Sequence, residues 1–365
     1  MQEGNTGISP TLLRLAVLGI LLEPLSLLPL SLTQARREST RFVVITVSQF
    51  LVRVTLCIVL VRVLNGGVAG ALLATALTGV LYGLGLSVWE LTRGAARPDL
   101  AQVRDLVRFA LPLMPGGLCF FVLHHGDRFF LLHYCKPDEV GTYALGYKLA
   151  MVAGMFSLAP LYAVWSTHMY EVARGPDAPT VFGRVFTRVL AAYAFAGLGL
   201  CLFEDEIVAV LGGPAYAQAS RVVAPVLLAC CFQAGSSLMD AGLYVRHRTG
   251  LKLAVTLTAT ALMLVLYALL IPAWGSLGAA LATLGGFISL AVGTWFVTQR
   301  VFPVRYEWGR VAALLVLAIG LWLGSRLLPQ APWAMPIKGL IWLACPVLVW
   351  HSGLVSAVEK RYALD

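Results

Sequence analysis

The chain alternates long apolar runs with short polar breaks. Residues 11–32, 42–64 and 68–91 are runs of about 20 residues that keep no period-two alternation. A polar stretch carrying Arg93, Arg97, Asp99, Arg104, Asp105 and Arg108 follows. The pattern then resumes at 109–134, 140–167, 186–203, 219–244, 253–271, 277–297, 311–328 and 337–358. A helix closes its backbone hydrogen bonds within itself and can cross lipid, and the alternation of a β-barrel strand is absent. The pattern predicts an all-α, polytopic transmembrane bundle of about eleven helices.

Composition agrees. Of 365 residues, 59% are hydrophobic and 12% charged, and the mean hydropathy is +0.82. A soluble domain carries about 25% charged residues, so too little charge is present to cover a water-facing surface. The formal net charge of +9 would suggest nucleic acid in a soluble protein. Here the charges fall in short loops, so nucleic acid is not an expected partner and the charge sets orientation instead. Of the 27 lysines and arginines, about eighteen lie in one set of alternate loops, including Arg36, Arg97, Arg174, Arg248 and Arg305, and about six in the other. The rich side is expected to be cytoplasmic, the N-terminus outside and the C-terminus inside. Glu3 and the lack of a basic leader argue against a cleavable signal peptide. The seven cysteines show no CxxC spacing, so neither a zinc site nor a disulfide framework is expected.

A repeat organises the chain. Gly67-Val-Ala-Gly70-Ala71-Leu-Leu-Ala74-Thr75 recurs as Gly275-Ser-Leu-Gly278-Ala279-Ala-Leu-Ala282-Thr283. Each copy follows an apolar run that opens at a basic turn, Arg36-Arg37-Glu38-Ser39 in one case and Arg246-His247-Arg248-Thr249 in the other. Both copies run from outside to inside. Two parallel, pseudo-symmetric lobes are a transporter architecture. The expected division is 1–105, an incomplete N-terminal lobe of about three helices; 106–300, a C-terminal lobe of about six; and 301–365, a C-terminal helix pair. Equal lobes would require about three more helices before residue 10.

The most distinctive text is Phe109-Ala-Leu-Pro112-Leu-Met-Pro115, then Gly126-Asp127-Arg128, then Glu139-Val-Gly141-Thr-Tyr143 and Tyr147-Lys148. Leu211-Gly-Gly213-Pro-Ala-Tyr216 and Gly242-Leu-Tyr-Val-Arg246 follow in order. This text resembles the polysaccharide biosynthesis (Wzx-type) branch of the multidrug/oligosaccharidyl-lipid/polysaccharide flippase superfamily. The resemblance implies a non-enzymatic transporter that flips an undecaprenyl-pyrophosphate-linked oligosaccharide, an O-antigen, capsule or exopolysaccharide repeat unit, across the bacterial inner membrane. It implies a cationic central cavity for the glycan head, a lipid tail left in the bilayer, coupling to an H+ or Na+ gradient without a bound cofactor, and polysaccharide polymerase or glycosyltransferases as partners. On the family's scheme the spans correspond to its fourth helix onward.

Ionisable groups inside a span are expensive and mark function by default. Asp127 and Lys148 both fall roughly 12–14 Å below the outer surface on helices joined by a short loop. They are expected to pair, either as a structural ion pair or with Asp127 as a coupling group and Lys148 on pyrophosphate. His124 and His125 stand beside Asp127, and imidazole is the side-chain type whose charge change falls nearest neutral pH, so they join it as ion-coupling candidates. Arg53 lies near mid-membrane and shares a helical face with Thr46 and Gln49. Its planar fork suits a diphosphate, unless an acid or helix carbonyls occupy it. Gln233, Ser236, Ser237, Asp240 and Tyr244 form a second stripe, fit either for sugar hydroxyls or for helix–helix hydrogen bonds. With Arg128 these make the cavity candidates Arg53, Gln49, Thr46, Arg128, Lys148, Gln233, Ser237 and Asp240. Pro112, Pro115, Pro160, Pro225 and Pro272 lie in or near spans and serve as fixed kinks or as hinges.

Two alternatives remain at this level. A membrane-embedded polymerase or glycosyltransferase needs carboxylates in a sizeable outer loop, and Glu204-Asp205-Glu206 is the one outer acidic cluster. A drug/cation antiporter of the MATE type needs acids in the first lobe, where Glu23 lies within the first run.

Overall fold

The computed structural model describes residues 10–93, 104–105, 107–108, 110–111, 113–327 and 334–351, and these are helices joined by turns and short irregular segments. The polar stretch around Arg97 and Asp99, Phe109, Pro112 and the C-terminal residues with Lys360 and Arg361 lie outside them. The chain forms two compact units, Met1–Leu100 and Ala101–Asp365.

The first unit begins with α1 (Pro10–Leu22) and α2 (Pro24–Ala35), one apolar stretch interrupted at Glu23. Next come α3 (Ser39–Ile58), running into a π-helical segment (Val59–Val63), then α4 (Gly67–Thr78) and, after a second π segment, α5 (Gly85–Arg93). Small residues let these helices approach closely. A Cβ on Gly79 would lie 2.8 Å from that of Leu22, and one on Gly83 2.8 Å from the Leu22 carbonyl oxygen. No residue of α3 is buried.

The second unit contains α6 (Leu113–Tyr134), α7 (Pro137–Ser157), α8 (Ala159–Val172), α9 (Ala178–Leu202), α10 (Glu204–Gly212), α11 (Ser220–Val245), α12 (Thr249–Val301), α13 (Trp308–Ser325) and α14 (Ala334–His351). Pro137 opens α7, with Asp138 and Glu139 in its first turn, where a helix favours proline and negative charge. Pro160 opens α8 directly after the bend at Leu158, which is what a residue without an amide hydrogen permits. The core runs through Tyr143, Tyr147, Tyr193, Met263, Tyr267 and Phe287, all buried.

The two copies of the sequence repeat fold alike. In the first basic turn Arg37 N–H donates to Gln34 O (2.9 Å) and Glu38 N–H to Thr33 O (3.0 Å). In the second, His247 N–H donates to Tyr244 O (3.0 Å) and Arg248 N–H to Leu243 O (2.9 Å). Both are Schellman turns, and Arg37 and His247 hold the left-handed position with φ of 57° and 54°. The leading glycines also match, Gly67 at φ 49° and Gly275 at φ 54°. At the second glycine of each motif, a Cβ would meet the carbonyl oxygen of Leu60 at Gly70 and of Leu270 at Gly278.

Among the described residues seven helices are long and apolar enough to cross a bilayer, or eight if the bent α7–α8 pair is one span. That is fewer than the expected eleven, for identifiable reasons. The 53-residue α12 counts once, yet its backbone leaves helical geometry at Gly275. Gly293 packs on Val255 and Gly286 on Met263, so the chain folds back at that glycine and the two halves are antiparallel passes. Among the described residues α6 and α14 do not qualify. α6 carries Asp127 and Arg128 in mid-run, and the qualifying apolar part of α14 is only Met335–Pro346.

Candidate functional site

Polar side chains of the second unit gather where α6, α7, α11 and α12 meet. Asp127 is fully buried. The Tyr143 hydroxyl donates to its Oδ2 at 2.6 Å and the Arg128 amide to its Oδ1 at 2.8 Å. The expected Asp127–Lys148 pair does not form. At 3.6 residues per turn, Lys148 stands roughly 140° round the helix from Tyr143. It is exposed, while Tyr143 and, one turn on, Tyr147 face inward.

His124 is held at both ring nitrogens, by the Tyr147 hydroxyl at Nδ1 (3.1 Å) and by Gln233 Nε2 at Nε2 (3.0 Å). Phe287 closes over the ring at 5.5 Å. His125 Nδ1 accepts from Arg128 Nη1 at 2.8 Å, and the Arg128 guanidinium lies 5.7 Å from the Tyr147 ring. Asp127 is thereby tied to Tyr143 of α7, and His124 to Tyr147 of α7 and directly to Gln233 of α11, while His125 bonds Arg128.

Gln233 and Ser237 line a cavity of about 310 Å³ together with Tyr162, Met151, Met155 and Cys230. Ser236 turns the other way and bonds Thr294 of α12 at 2.9 Å. Asp240, one turn beyond Ser237, pairs with Lys252 Nζ at 2.6 Å, the two side chains 5% and 4% exposed. By sequence Lys252 belonged to a solvated basic turn. The Schellman turn at His247 brings it back against α11, and a buried acid facing a hairpin partner is the signal that could have found it.

The first unit places Arg53 against Glu23, Nη2 to Oε1 at 3.0 Å. Glu23 sits at the α1–α2 interruption, and the Arg53 Nε is buried without a hydrogen-bond partner. Thr46 bonds back to the Phe42 carbonyl at 2.8 Å, and Gln49 is half-buried beside it.

Two further constellations lie near helix ends. Glu139 accepts the Ser276 amide at 2.7 Å, which caps the second half of α12 at Gly275. Beside it, Cys135 has its thiol pushed up, first by burial and then by the Glu139 carboxylate. The acidic cluster is committed to ion pairs: Glu204 to Arg326, Asp205 to Arg326 at 3.2 Å, and Glu206 to Lys338 at 2.6 Å. With Trp342 donating to Phe195 O at 3.0 Å, these pairs fasten α13 and α14 to α9 and α10. Among the described residues no three metal-binding side chains cluster.

Residues 4–166 match the family described as "Polysaccharide biosynthesis protein". Over 265 residues the chain is 21% identical to the "Probable low-salt glycan biosynthesis flippase Agl15" of Haloferax volcanii. That alignment covers 69% of this chain and 55% of the relative, so the chain spans about half the relative's length. Among solved structures it is similar to the crystal structure of a point mutant of a MATE protein, with a TM-score of 0.66 and 13% identity over 86% of this chain and 72% of that one. The likeness in structure is one of fold.

Proposed function

We propose that the chain is a transporter of the polysaccharide biosynthesis protein type, and not an enzyme, that moves a lipid-linked glycan across a membrane on a MATE-like fold. The observation that supports this most is the polar network of α6, α7 and α11 beside a cavity that presents Gln233 and Ser237. Amide and hydroxyl groups exchange hydrogen bonds with sugar hydroxyls at little cost, while an apolar wall would leave them unpaired.

In this proposal the cargo is an undecaprenyl-pyrophosphate-linked oligosaccharide and the membrane the bacterial inner membrane, with the N-terminus periplasmic and the C-terminus cytoplasmic. The arginine-rich loops support the orientation. The matching turns of the two repeats support a chain built of two repeated lobes. Arg53, with Thr46 and Gln49 on its face, takes the diphosphate, which competes with Glu23 for the guanidinium. Arg128, Gln233 and Ser237 meet the glycan head. Lys148, exposed on α7, meets phosphate, and Asp240 acts through Lys252. Asp127, His124 and His125 couple the cycle to an H+ or Na+ gradient. Polymerase or glycosyltransferases act before and after transport.

The test reconstitutes the full chain in liposomes holding a fluorescent polyprenyl-diphosphate oligosaccharide. A membrane-impermeant quencher reports which leaflet exposes the label. Protein-dependent exchange between leaflets is expected. Exchange no faster than in protein-free vesicles, with ethidium transported instead, would replace this proposal with a cation antiporter.

A further inference from the structure

His124 and Gln233 carry more than a structural bond. Gln233 Nε2 lies 3.0 Å from His124 Nε2, and a side-chain amide nitrogen only donates. His124 Nε2 must therefore be the bare, accepting nitrogen. The ring proton sits on Nδ1 and is donated to the Tyr147 hydroxyl 3.1 Å away. The histidine in this arrangement is neutral. The Gln233 carbonyl oxygen makes no hydrogen bond among the described residues, and Gln233 lines the 310 Å³ cavity.

A proton taken up at His124 Nε2 turns that nitrogen into a donor. Two N–H groups would then face each other. A half-turn of the amide removes the conflict, because the carbonyl oxygen and the NH2 of glutamine are nearly equal in size and exchange places. The carbonyl then accepts from the imidazolium, and the NH2 points into the cavity. Tyr147 needs no change, since it already accepts from Nδ1.

We propose that Gln233 is a proton-driven polarity switch: it shows the cavity an acceptor when His124 is neutral and a donor when His124 is protonated. A polyol cargo would thus meet a different hydrogen-bonding wall in the two states, which couples a proton to glycan affinity without any movement of the backbone. The one reactant consumed is a proton, and it is returned when the imidazolium gives it up. Around His124 the groups that carry charge or exchange protons are His125, Asp127 and Arg128 on α6, Tyr147 on α7 and Cys230 on α11 beside Tyr147. α12 contributes the neutral Phe287 and, beside Asp127 and Tyr147, Tyr267. Of these neighbours, Gln233 is the one that bonds the Nε2 nitrogen.

The coupling to glycan rests on the transport function proposed above, but the switch itself does not. The test is a titration of 15N-histidine-labelled full-length protein in lipid bilayers by nuclear magnetic resonance, with a His124→Asn spectrum to assign the signal. Gln233→Leu withdraws the accepting carbonyl and should lower the His124 midpoint by about one pH unit or more, a tenfold change in proton affinity. Gln233→Glu supplies a permanent acceptor with charge and should raise it by at least as much. Wild-type and Gln233→Leu midpoints that coincide would overturn the switch. Coincident shifts in the pH profile of liposome transport would extend it to the cargo. The expected midpoint shifts without any glycan exchange would uphold the switch and defeat the cargo assignment.

Discussion

Tyr143 donates its hydroxyl hydrogen to Asp127 across 2.6 Å, and neither side chain reaches the surface. The pair ties α6 to α7 at the centre of the second unit. Tyr143→Phe should leave a buried carboxyl oxygen without its partner and cost about 1–3 kcal/mol, read as a lowered thermal midpoint in detergent. The double variant Asp127→Leu with Tyr143→Phe should recover much of that loss, because both polar partners are then gone together. A double variant no more stable than Tyr143→Phe alone would contradict this account.

Asp240 and Lys252 make the parallel case for charge. Removing one member, as in Lys252→Met, should destabilise by about 3–5 kcal/mol, since an unpaired charge remains buried. Asp240→Leu with Lys252→Met should approach wild-type stability or exceed it. The check is urea or thermal unfolding of all three proteins in the same detergent. Additive losses in the double variant would show that the two residues act separately.

Arg53 and Glu23 separate structure from transport. Under the proposed function, Arg53→Ala should abolish exchange of the labelled lipid-linked glycan at an unchanged level of membrane protein. Arg53→Lys should restore it only in part, because an ammonium keeps the charge without the two-pronged fork. Glu23→Gln should preserve or increase binding of the diphosphate, as it frees the guanidinium. Loss of protein from the membrane in both arginine variants would reassign the pair to folding.

Cys135 offers a pH-dependent readout at the end of α6. Burial and the Glu139 carboxylate raise its thiol above the usual range, so less thiolate is present at neutral pH. Alkylation by an impermeant maleimide should therefore be slow at pH 7 and accelerate as pH rises through the elevated value. Glu139→Gln removes the charge that disfavours thiolate and should speed the reaction at pH 7. An unchanged rate would mean that access, and not ionisation, limits the thiol.

Orientation can be read directly. Reporter fusions after Arg174 and Arg305 should report cytoplasm, and one after Glu206 periplasm. Opposite results at two of the three sites would invert the assignment.

What the sequence by itself determined follows from one-dimensional physics. Apolar length decides where helices cross lipid, so runs 42–64 and 219–244 reappear as helices with ends shifted by a few residues, and 186–203 within a helix that already starts at Ala178. Local turn chemistry was equally legible. Arg37 and His247, aligned by the repeat alone, close the same Schellman turn, and Gly67 and Gly275 hold the same left-handed backbone. The membrane-spanning character rests on such terms, which need no knowledge of neighbours.

Partner choice lies beyond that reach. Asp127 and Lys148 sit at matching depth, but depth is one coordinate, and rotation about the α7 axis hands the buried face to Tyr143 and Tyr147. Lys252 was counted with solvated loop charges, yet the fold-back of α12 buries it on Asp240. Glu204-Asp205-Glu206 could have been a catalytic or a solvated cluster until α13 and α14 brought Arg326 and Lys338 to it. Each of these outcomes turns on a few ångströms and a helical rotation between segments distant in sequence. Hydropathy carries no record of that rotation, because a buried charge costs the same to place in lipid whichever partner relieves it.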